Sequence, residues 1–223
     1  VEDWGPEDSA LAYWGLGHHL GAPGAQNAQD ELLGHVVDYG EERTQPMVRL
    51  YRTTSNIDFH CDAADAVGLL CLRTAREGGE SRIASSVAVY NEIARRAPDL
   101  AARLFGPFML DRRGEEGPGE PGWVPMQAAC YAGGALRTFY HSEYFRSAAR
   151  FAEGGRLDDR AAALLDLYDA LAASPEFRLD MRLAPGDMQF ISNHAIVHAR
   201  TEYRDHTERD RKRHLLRLWL SLD

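Results

Sequence analysis

The stretch NIDFHCDAAD, residues 56–65, places His60 and Asp62 on either side of Cys61 at the end of a strand-like segment. Side chains on a β-strand alternate between its two faces, so residues two apart point the same way. An imidazole and a carboxylate would then lie side by side, as two of the three protein ligands of a metal site. The other interpretation is that Asp62 caps the next segment and that His60 is a core histidine.

The composition is that of a globular chain without a nucleic-acid or membrane signature. With 223 residues, 44% of them hydrophobic, the chain is long enough for one domain with its own core. The formal net charge of −9 argues against a nucleic-acid partner, and no apolar run is long enough to predict a membrane span. Three widely spaced cysteines and the lack of a signal peptide predict a cytoplasmic protein. The oligomeric state stays open, a homo-oligomer included.

The order of the segments predicts a mainly β fold with helical insertions, an antiparallel barrel or sandwich. The Gly-, Pro- and Glu-rich stretch 112–122 is predicted to be a mobile loop or lid. Strands are predicted within 47–60, 67–74, 177–203 and 214–223, a hairpin within 123–141, and helices at 10–21, 85–105 and 157–174.

The last strand, RHLLRLWLSL (213–222), carries two arginines on one face. Alternation sets Arg213 and Arg217 beside Leu215 and Trp219, while the other leucines point to the opposite side. Burying two arginines that share one space is costly unless anions are present, and an arginine fork suits a carboxylate. The alternative is that both are surface residues paired with nearby acids.

A third metal ligand is available in NHAIVHAR, residues 193–200. Two histidines and one carboxylate that leave open positions are typical of non-haem Fe(II) oxygenases. His194 and His198 are four apart, so both fit one strand face, and spacing leaves both open. The pair His141 and Glu143 has the same spacing as His60 and Asp62, but its segment is predicted to be helical, where such positions diverge.

Together these pieces resemble the taurine dioxygenase/TfdA family of Fe(II)- and 2-oxoglutarate-dependent oxygenases. The matching stretches are the short helix ending HHLGAP, then NIDFHCDAAD, LLCLRTAREGGES, GDMQFISNHAIVHARTEY and RKRHLLRLWL, in this order. The resemblance implies a double-stranded β-helix (jelly-roll, cupin-like) core flanked by helices, with residues 1–223 forming a single dioxygenase domain. Family members are usually longer at the N-terminus, so it also implies that the first part of the usual fold is missing.

The resemblance further implies roles for individual residues. Fe(II) would be bound by His60, Asp62 and His198, and the distal carboxylate of 2-oxoglutarate by Arg213 with Ser81. Because the interval between His198 and Arg213 is longer than the corresponding one in the taurine enzyme, Arg209 is a rival for that role. The positions that match substrate-pocket residues of the family are Arg217, Asn56, Cys61 and Asn193.

The chemistry implied by the resemblance is oxidation, in the first place hydroxylation, of a small molecule. It would consume O2 and 2-oxoglutarate and release succinate and CO2. Arg217 suggests an anionic group on the substrate, although a structural ion pair explains it equally well. The alternatives are a non-catalytic, cupin-like binding protein for a small molecule or metal, and a zinc hydrolase that uses His60 and Asp62.

Overall fold

The computed structural model describes residues 4–27, 29–42, 44, 47–151 and 156–222. The α-helices are α1 Pro6–Leu20, α2 Ser86–Arg96, α3 Pro98–Arg103, α4 Ser142–Ser147 and α5 Asp159–Ala172, and short 3-10 turns cover Leu50–Arg52, Ala148–Arg150 and Arg209–Arg211. The strands are β1 Ala22–Pro23, β2 Leu33–Val36, β3 Ile57–His60, β4 Ala66–Arg73, β5 Glu77–Gly78, β6 Ser81–Ser85, β7 Pro107–Asp111, β8 Trp123–Gln127, β9 Ala129–Ala132, β10 Ala135–Thr138, β11 Arg178–Met181, β12 Met188–Ser192, β13 Ile196–Arg200, β14 Tyr203–Arg204 and β15 His214–Ser221.

The larger sheet is antiparallel and is centred on β15. Its order is β1-β15-β4-β12, and β2 also pairs with β15, on the side where β1 lies. Every second residue of β15 faces outward, where Leu216, Leu218 and Leu220 pack with Tyr13 of α1. The residues between them, Leu215, Arg217 and Trp219, line a cavity. The alternation predicted for the last strand is therefore confirmed.

The smaller sheet has the antiparallel order β11-β6-β13-β3. Its outer face is covered by α2, α3 and α5, whose buried residues form one core with Val197 of β13 and Phe59 of β3. Val89 and Ile93 of α2 and Leu164 of α5 are fully buried in this core. Side chains of the inner faces of both sheets line the same cavity, so the mainly β architecture with flanking helices is confirmed.

Two predicted elements differ from the observed ones. Within 47–60 only Ile57–His60 is a strand, because the 3-10 turn at Leu50–Arg52 ends where Thr53 bonds back to the Leu50 carbonyl oxygen through its amide and its hydroxyl. The helix predicted over 85–105 is divided at Pro98, which lacks the amide proton that a continuous helix needs. The Ser85 side chain caps its start, as predicted.

Most of the other predicted elements are confirmed, but the hairpin predicted within 123–141 is confirmed only for β9 and β10, because β8 pairs with β7 instead. The helix predicted at 157–174 is α5, and the AGGA turn joins β9 to β10, with Gly133 and Gly134 both at positive φ. Strands β8 and β7 form a second hairpin, and the 112–122 segment is the loop between them. No helix in the described ranges combines the length and apolarity needed to cross a bilayer.

Candidate metal and cosubstrate site

A cavity of about 320 Å³ opens between the two sheets. Strands of both sheets, the segment 49–51 and the 112–122 loop contribute to its wall. Its charged and imidazole side chains are Arg49, Arg112, Arg200, Arg213, Arg217, His60, His141, His198, Asp62, Asp111 and Glu115. Five arginines against three carboxylates give the cavity a cationic lining, which suits anionic ligands.

His60 and His198 face each other across neighbouring strands. They are register partners on β3 and β13, and their ring centroids lie 4.3 Å apart. His60 Nδ1 lies 2.9 Å from the carbonyl oxygen of Asp58, which can only accept a hydrogen bond. The proton is therefore on Nδ1, and the lone pair on Nε2 is free to bind a metal.

Asp62 lies just beyond the end of β3 and joins the two histidines. Its Oδ1 is 3.9 Å from His60 Nε2, and its Oδ2 is 3.6 Å from His198 Nε2. The side-chain oxygen of Asn193 accepts a hydrogen bond from the Asp62 amide, and its nitrogen donates to the Ala64 carbonyl. Buried Asn193 thus fixes the turn that aims Asp62, and among the described residues it is not part of the cavity wall.

The electrostatics of the three side chains suit a cation. Burial and the nearby His60 lower the pKa of His198 to about 3, so its imidazole is neutral. Burial by itself raises the pKa of Asp62, but the nearby positive charge, that of Arg217 first, outweighs it, and the net shift is downward. Asp62 is thus an ionised carboxylate beside the neutral imidazole of His198. Burial raises the pKa of the Cys61 thiol to about 12. This thiol donates to the Asn193 carbonyl oxygen and packs in the helix-covered core, so the structure places the Cys61 side chain there and not in the substrate pocket predicted for it.

These three residues fit a divalent metal. One ligand atom from each of His60, Asp62 and His198 can be chosen so that all lie within 4.8 Å of one another, and within the described residues no other group of three metal-ligating side chains is so arranged. Asp62 Oδ2 is buried and has no hydrogen-bond partner in that part of the chain. A buried carboxylate oxygen without a partner is costly, and a cation would satisfy it.

The structure separates the residues that spacing left open. His194 precedes β13, so strand alternation does not apply to it, and its Nε2 lies 2.6 Å from Asp65 Oδ1, away from the cavity. Arg209 is exposed on the 3-10 turn Arg209–Arg211, whereas Arg213 is 4% exposed and lines the cavity. Only His198 and Arg213 line the cavity; His194 and Arg209 do not.

Arg213 and Arg200 form a second cationic group at the wall. Burial, together with the positive charge of Arg213, lowers the pKa of Arg200 to about 10, and burial also lowers the pKa of Arg213. Within the described residues neither has a carboxylate within ion-pair distance, and Arg213 Nη1 has no partner. Ser81 pairs with Arg200 across β6 and β13 and also lines the wall. Gly79, with φ of 76°, makes room here, since a Cβ would lie 3.0 Å from Arg213 Nε.

Arg217 is held rigidly beside Asp62. Its Nη1 lies 3.7 Å from Asp62 Oδ1, and its Nε donates to Gln26 Oε1 at 2.7 Å. The Gln26 amide nitrogen donates to the backbone oxygens of Arg217 and Leu32, so this buried side chain has three partners. Gly34, the register partner of Arg217 on β2, makes room for it, because a Cβ there would lie 2.6 Å from Gln26 Oε1.

We expect Gly34→Ala to lower the free energy of unfolding by about 1–3 kcal/mol, the usual cost of forcing an extra methyl group into a packed site. The added methyl would displace Gln26 and leave its buried hydrogen-bond partners unsatisfied. Urea unfolding measures the change. Gly24→Ala is the matched control, since the nearest atom to a Cβ there is 4.0 Å away. Equal urea midpoints for the two variants would contradict the inference that Gln26 requires a glycine at position 34.

Sequence reasoning missed several residues of this cavity. Arg49, and Gln26, which holds Arg217, lie in irregular segments without a periodic signal. Arg200 lies two residues after His198 on β13, so alternation could have found it. His141 was set aside as helical, yet it immediately precedes α4, and its ring centroid lies 5.0 Å from that of His60. The structure does not bring Asn56 to the wall; its side-chain nitrogen donates to Asp58 Oδ1 at 2.6 Å.

Comparison with known proteins agrees with this geometry. The sequence profile of the family described as "Taurine catabolism dioxygenase TauD, TfdA family" matches residues 2–219. FR-33289 synthase of Streptomyces rubellomurinus (strain ATCC 31215) is 35% identical over 211 residues, which are 93% of this chain and 62% of that protein. Uridine-5'-phosphate dioxygenase of an Amycolatopsis species is 28% identical over 229 residues, covering 97% of this chain and 81% of that protein. The chain thus spans about three fifths of the synthase.

Solved structures share the fold. Asparagine oxygenase in complex with Fe(II), 2S,3S-3-hydroxyasparagine and succinate superposes with a TM-score of 0.74 at 20% identity, over 96% of this chain and 64% of that one. The non-heme iron oxygenase OrfP in complex with Fe and alpha-ketoglutaric acid gives 0.68 at 17% identity, over 98% and 65%. With the profile match across nearly its whole length, the chain belongs to the TauD/TfdA family of taurine catabolism dioxygenases.

Proposed function

We propose that the chain is the catalytic domain of an Fe(II)- and 2-oxoglutarate-dependent dioxygenase that hydroxylates a small molecule. The observation that carries the proposal is the convergence of His60, Asp62 and His198 at a cavity that Arg213 also lines, with an Nη1 that has no partner among the described residues. Two imidazoles and one carboxylate are the protein ligands that non-haem Fe(II) oxygenases use. Asparagine oxygenase and OrfP, which share this fold, have been crystallised with iron.

In the overall reaction, O2 and 2-oxoglutarate convert a C–H bond of the substrate to C–OH. One oxygen atom enters the substrate and the other enters succinate, while the 2-oxo acid loses CO2. Iron bound by His60, Asp62 and His198 would supply the O2 chemistry. The protein contributes orientation and exclusion of water, since the difficult chemistry belongs to the cofactor.

Each cavity residue has a defined task in this proposal. Arg213, with Ser81 beside it, binds the distal carboxylate of 2-oxoglutarate, and Arg200 adds positive charge at the same wall. Arg217 faces the substrate and stays oriented through Gln26. Asn193 acts indirectly by holding the Asp62 backbone. We propose that the reaction takes place in a reducing compartment such as the cytoplasm, because Cys61 and Cys71 are buried free thiols.

Anaerobic addition of Fe(II) and 2-oxoglutarate tests the proposal directly. We expect a weak metal-to-ligand charge-transfer band in the visible region that requires both additions, because the cosubstrate must bind the metal to produce it. Exposure to O2 should then release succinate. Zn(II) in place of Fe(II) is the control and should give neither signal. A folded protein that binds metal but forms no band and consumes no 2-oxoglutarate would contradict the proposal and favour a binding protein.

A further inference from the structure

Arg49 brings another guanidinium into the cavity from outside the two sheets. It immediately precedes the 3-10 turn Leu50–Arg52, and 16% of its side chain is exposed. Its guanidinium carbon lies 5.7 Å from the Tyr51 ring centroid and 5.9 Å from that of Trp219. The guanidinium of Arg217 lies 4.7 Å and 5.0 Å from the same two rings. Two cations therefore share one aromatic platform.

The carboxylates near this platform do not balance it. Asp111 accepts hydrogen bonds from Arg150, and Asp62 is the metal ligand in the function proposed above. Glu115, from the 112–122 loop, pairs with Arg49, and its side chain is 35% exposed. Among the described residues of the cavity wall, Glu115 is thus the carboxylate left to face Arg49, and it comes from a surface loop.

We propose that Arg49 anchors an oxyanionic group of the primary substrate, and that Glu115 occupies this subsite until the substrate displaces it. The inference rests on the proposed function. A guanidinium binds carboxylate, sulfonate and phosphonate oxygens through the same paired N–H groups, so the Glu115 carboxylate reproduces the contact a substrate would make. The second guanidinium on the platform, that of Arg217, favours an incoming group with more negative charge than one carboxylate.

The arrangement gives Glu115 a role in selectivity. A neutral substrate gains nothing from displacing Glu115, and it would leave the largely buried Arg49 without a counter-charge. An oxyanion replaces the lost partner and remains on the platform. The ion pair therefore disfavours uncharged molecules and admits anionic ones.

The test measures binding of small oxyanions to the protein loaded with Fe(II) and 2-oxoglutarate without O2. Loading fills the Arg213 site, so the probes report on the remaining cavity. Methylphosphonate, methanesulfonate and acetate are titrated separately, with tryptophan fluorescence and the charge-transfer band as readouts. We expect Glu115→Gln to bind at least one probe roughly tenfold more tightly than the unmodified protein, because the internal competitor is gone. Arg49→Gln should bind that probe at least about tenfold more weakly, and the double variant should match Arg49→Gln.

Glu77→Gln is the control, since Glu77 is an exposed carboxylate that pairs with Arg204, and neither residue lines the cavity. It should leave probe affinity unchanged. Unchanged or weaker binding in Glu115→Gln, or full binding in Arg49→Gln, would overturn the inference. If the inference fails while all variants still show the charge-transfer band, the proposed function stands and only the role of Arg49 and Glu115 is refuted. If the unmodified protein shows no band, the proposed function itself is refuted. The probe that binds best identifies the kind of oxyanion.

Discussion

Replacing His198 with alanine should reduce Fe(II)-dependent formation of succinate by more than about a hundredfold, beyond the usual cost of losing an outer partner of a metal ligand. His198 supplies a neutral imidazole on the strand directly opposite His60. Without it the metal would retain one imidazole and one carboxylate. The iron content of the dialysed protein measures the loss of metal binding, and succinate release measures the loss of turnover.

His194→Ala is the matched control for this experiment. It removes an imidazole only four residues from His198 in sequence. His194 lies in the turn before β13 and contacts Asp65 instead of Asp62. Iron content and succinate release should both persist in that variant. Circular dichroism of the metal-free proteins checks that both variants fold. Loss of iron from His194→Ala, or full activity of a folded His198→Ala protein, would show that the ligand set is wrong.

Replacing Arg213 with alanine should weaken 2-oxoglutarate binding by about 2–3 kcal/mol, the range for a hydrogen bond to a charged group, which is a loss of thirtyfold or more. Arg213 is buried, has an Nη1 without a hydrogen-bond partner, and lies near Arg200 with no carboxylate within ion-pair distance among the described residues. Iron affinity should stay unchanged, because Arg213 is not among the three clustered ligands. Titration of the charge-transfer band with 2-oxoglutarate measures the affinity.

The same substitution should stabilise the protein when 2-oxoglutarate is absent. A buried guanidinium that repels its neighbour costs free energy, and alanine removes that cost. A residue with a purely structural ion pair would show the opposite change in the thermal midpoint. Arg209→Ala, on the exposed 3-10 turn, should alter neither affinity nor stability. Unchanged 2-oxoglutarate affinity in Arg213→Ala would remove this residue from the cosubstrate site.

Both predictions depend on how the cavity distributes charge. One side of the cavity has the carboxylate of Asp62, and the other has Arg200 and Arg213, which have no carboxylate within ion-pair distance among the described residues. In that part of the chain, Asp62 Oδ2 and Arg213 Nη1 are buried atoms of opposite charge without a hydrogen-bond partner. Such groups are retained at functional sites because a ligand satisfies them, and each lowers the stability of the unliganded chain.

Local rules predicted part of this site correctly. The two-residue spacing of His60 and Asp62, and the alternation of Arg213, Leu215, Arg217 and Trp219, are properties of an extended backbone. They hold wherever the strand is, so the sequence alone indicated which side chains share a face. Composition and segment order likewise predicted a mainly β fold with flanking helices. The resemblance then proposed the same ligand set that the geometry brings together.

The tertiary structure decided everything that depends on two distant segments meeting. Pairing of β3 with β13 places His198, and not His194, opposite His60, because the turn at 193–195 ends the region where alternation applies. Arg49 reaches the cavity, and Gln26 reaches Arg217, from irregular segments whose position is set by packing against β15 and not by their own sequence pattern. Local sequence determined which face each strand residue takes, whereas strand register and packing determined which faces meet, since these depend on contacts between residues more than a hundred positions apart.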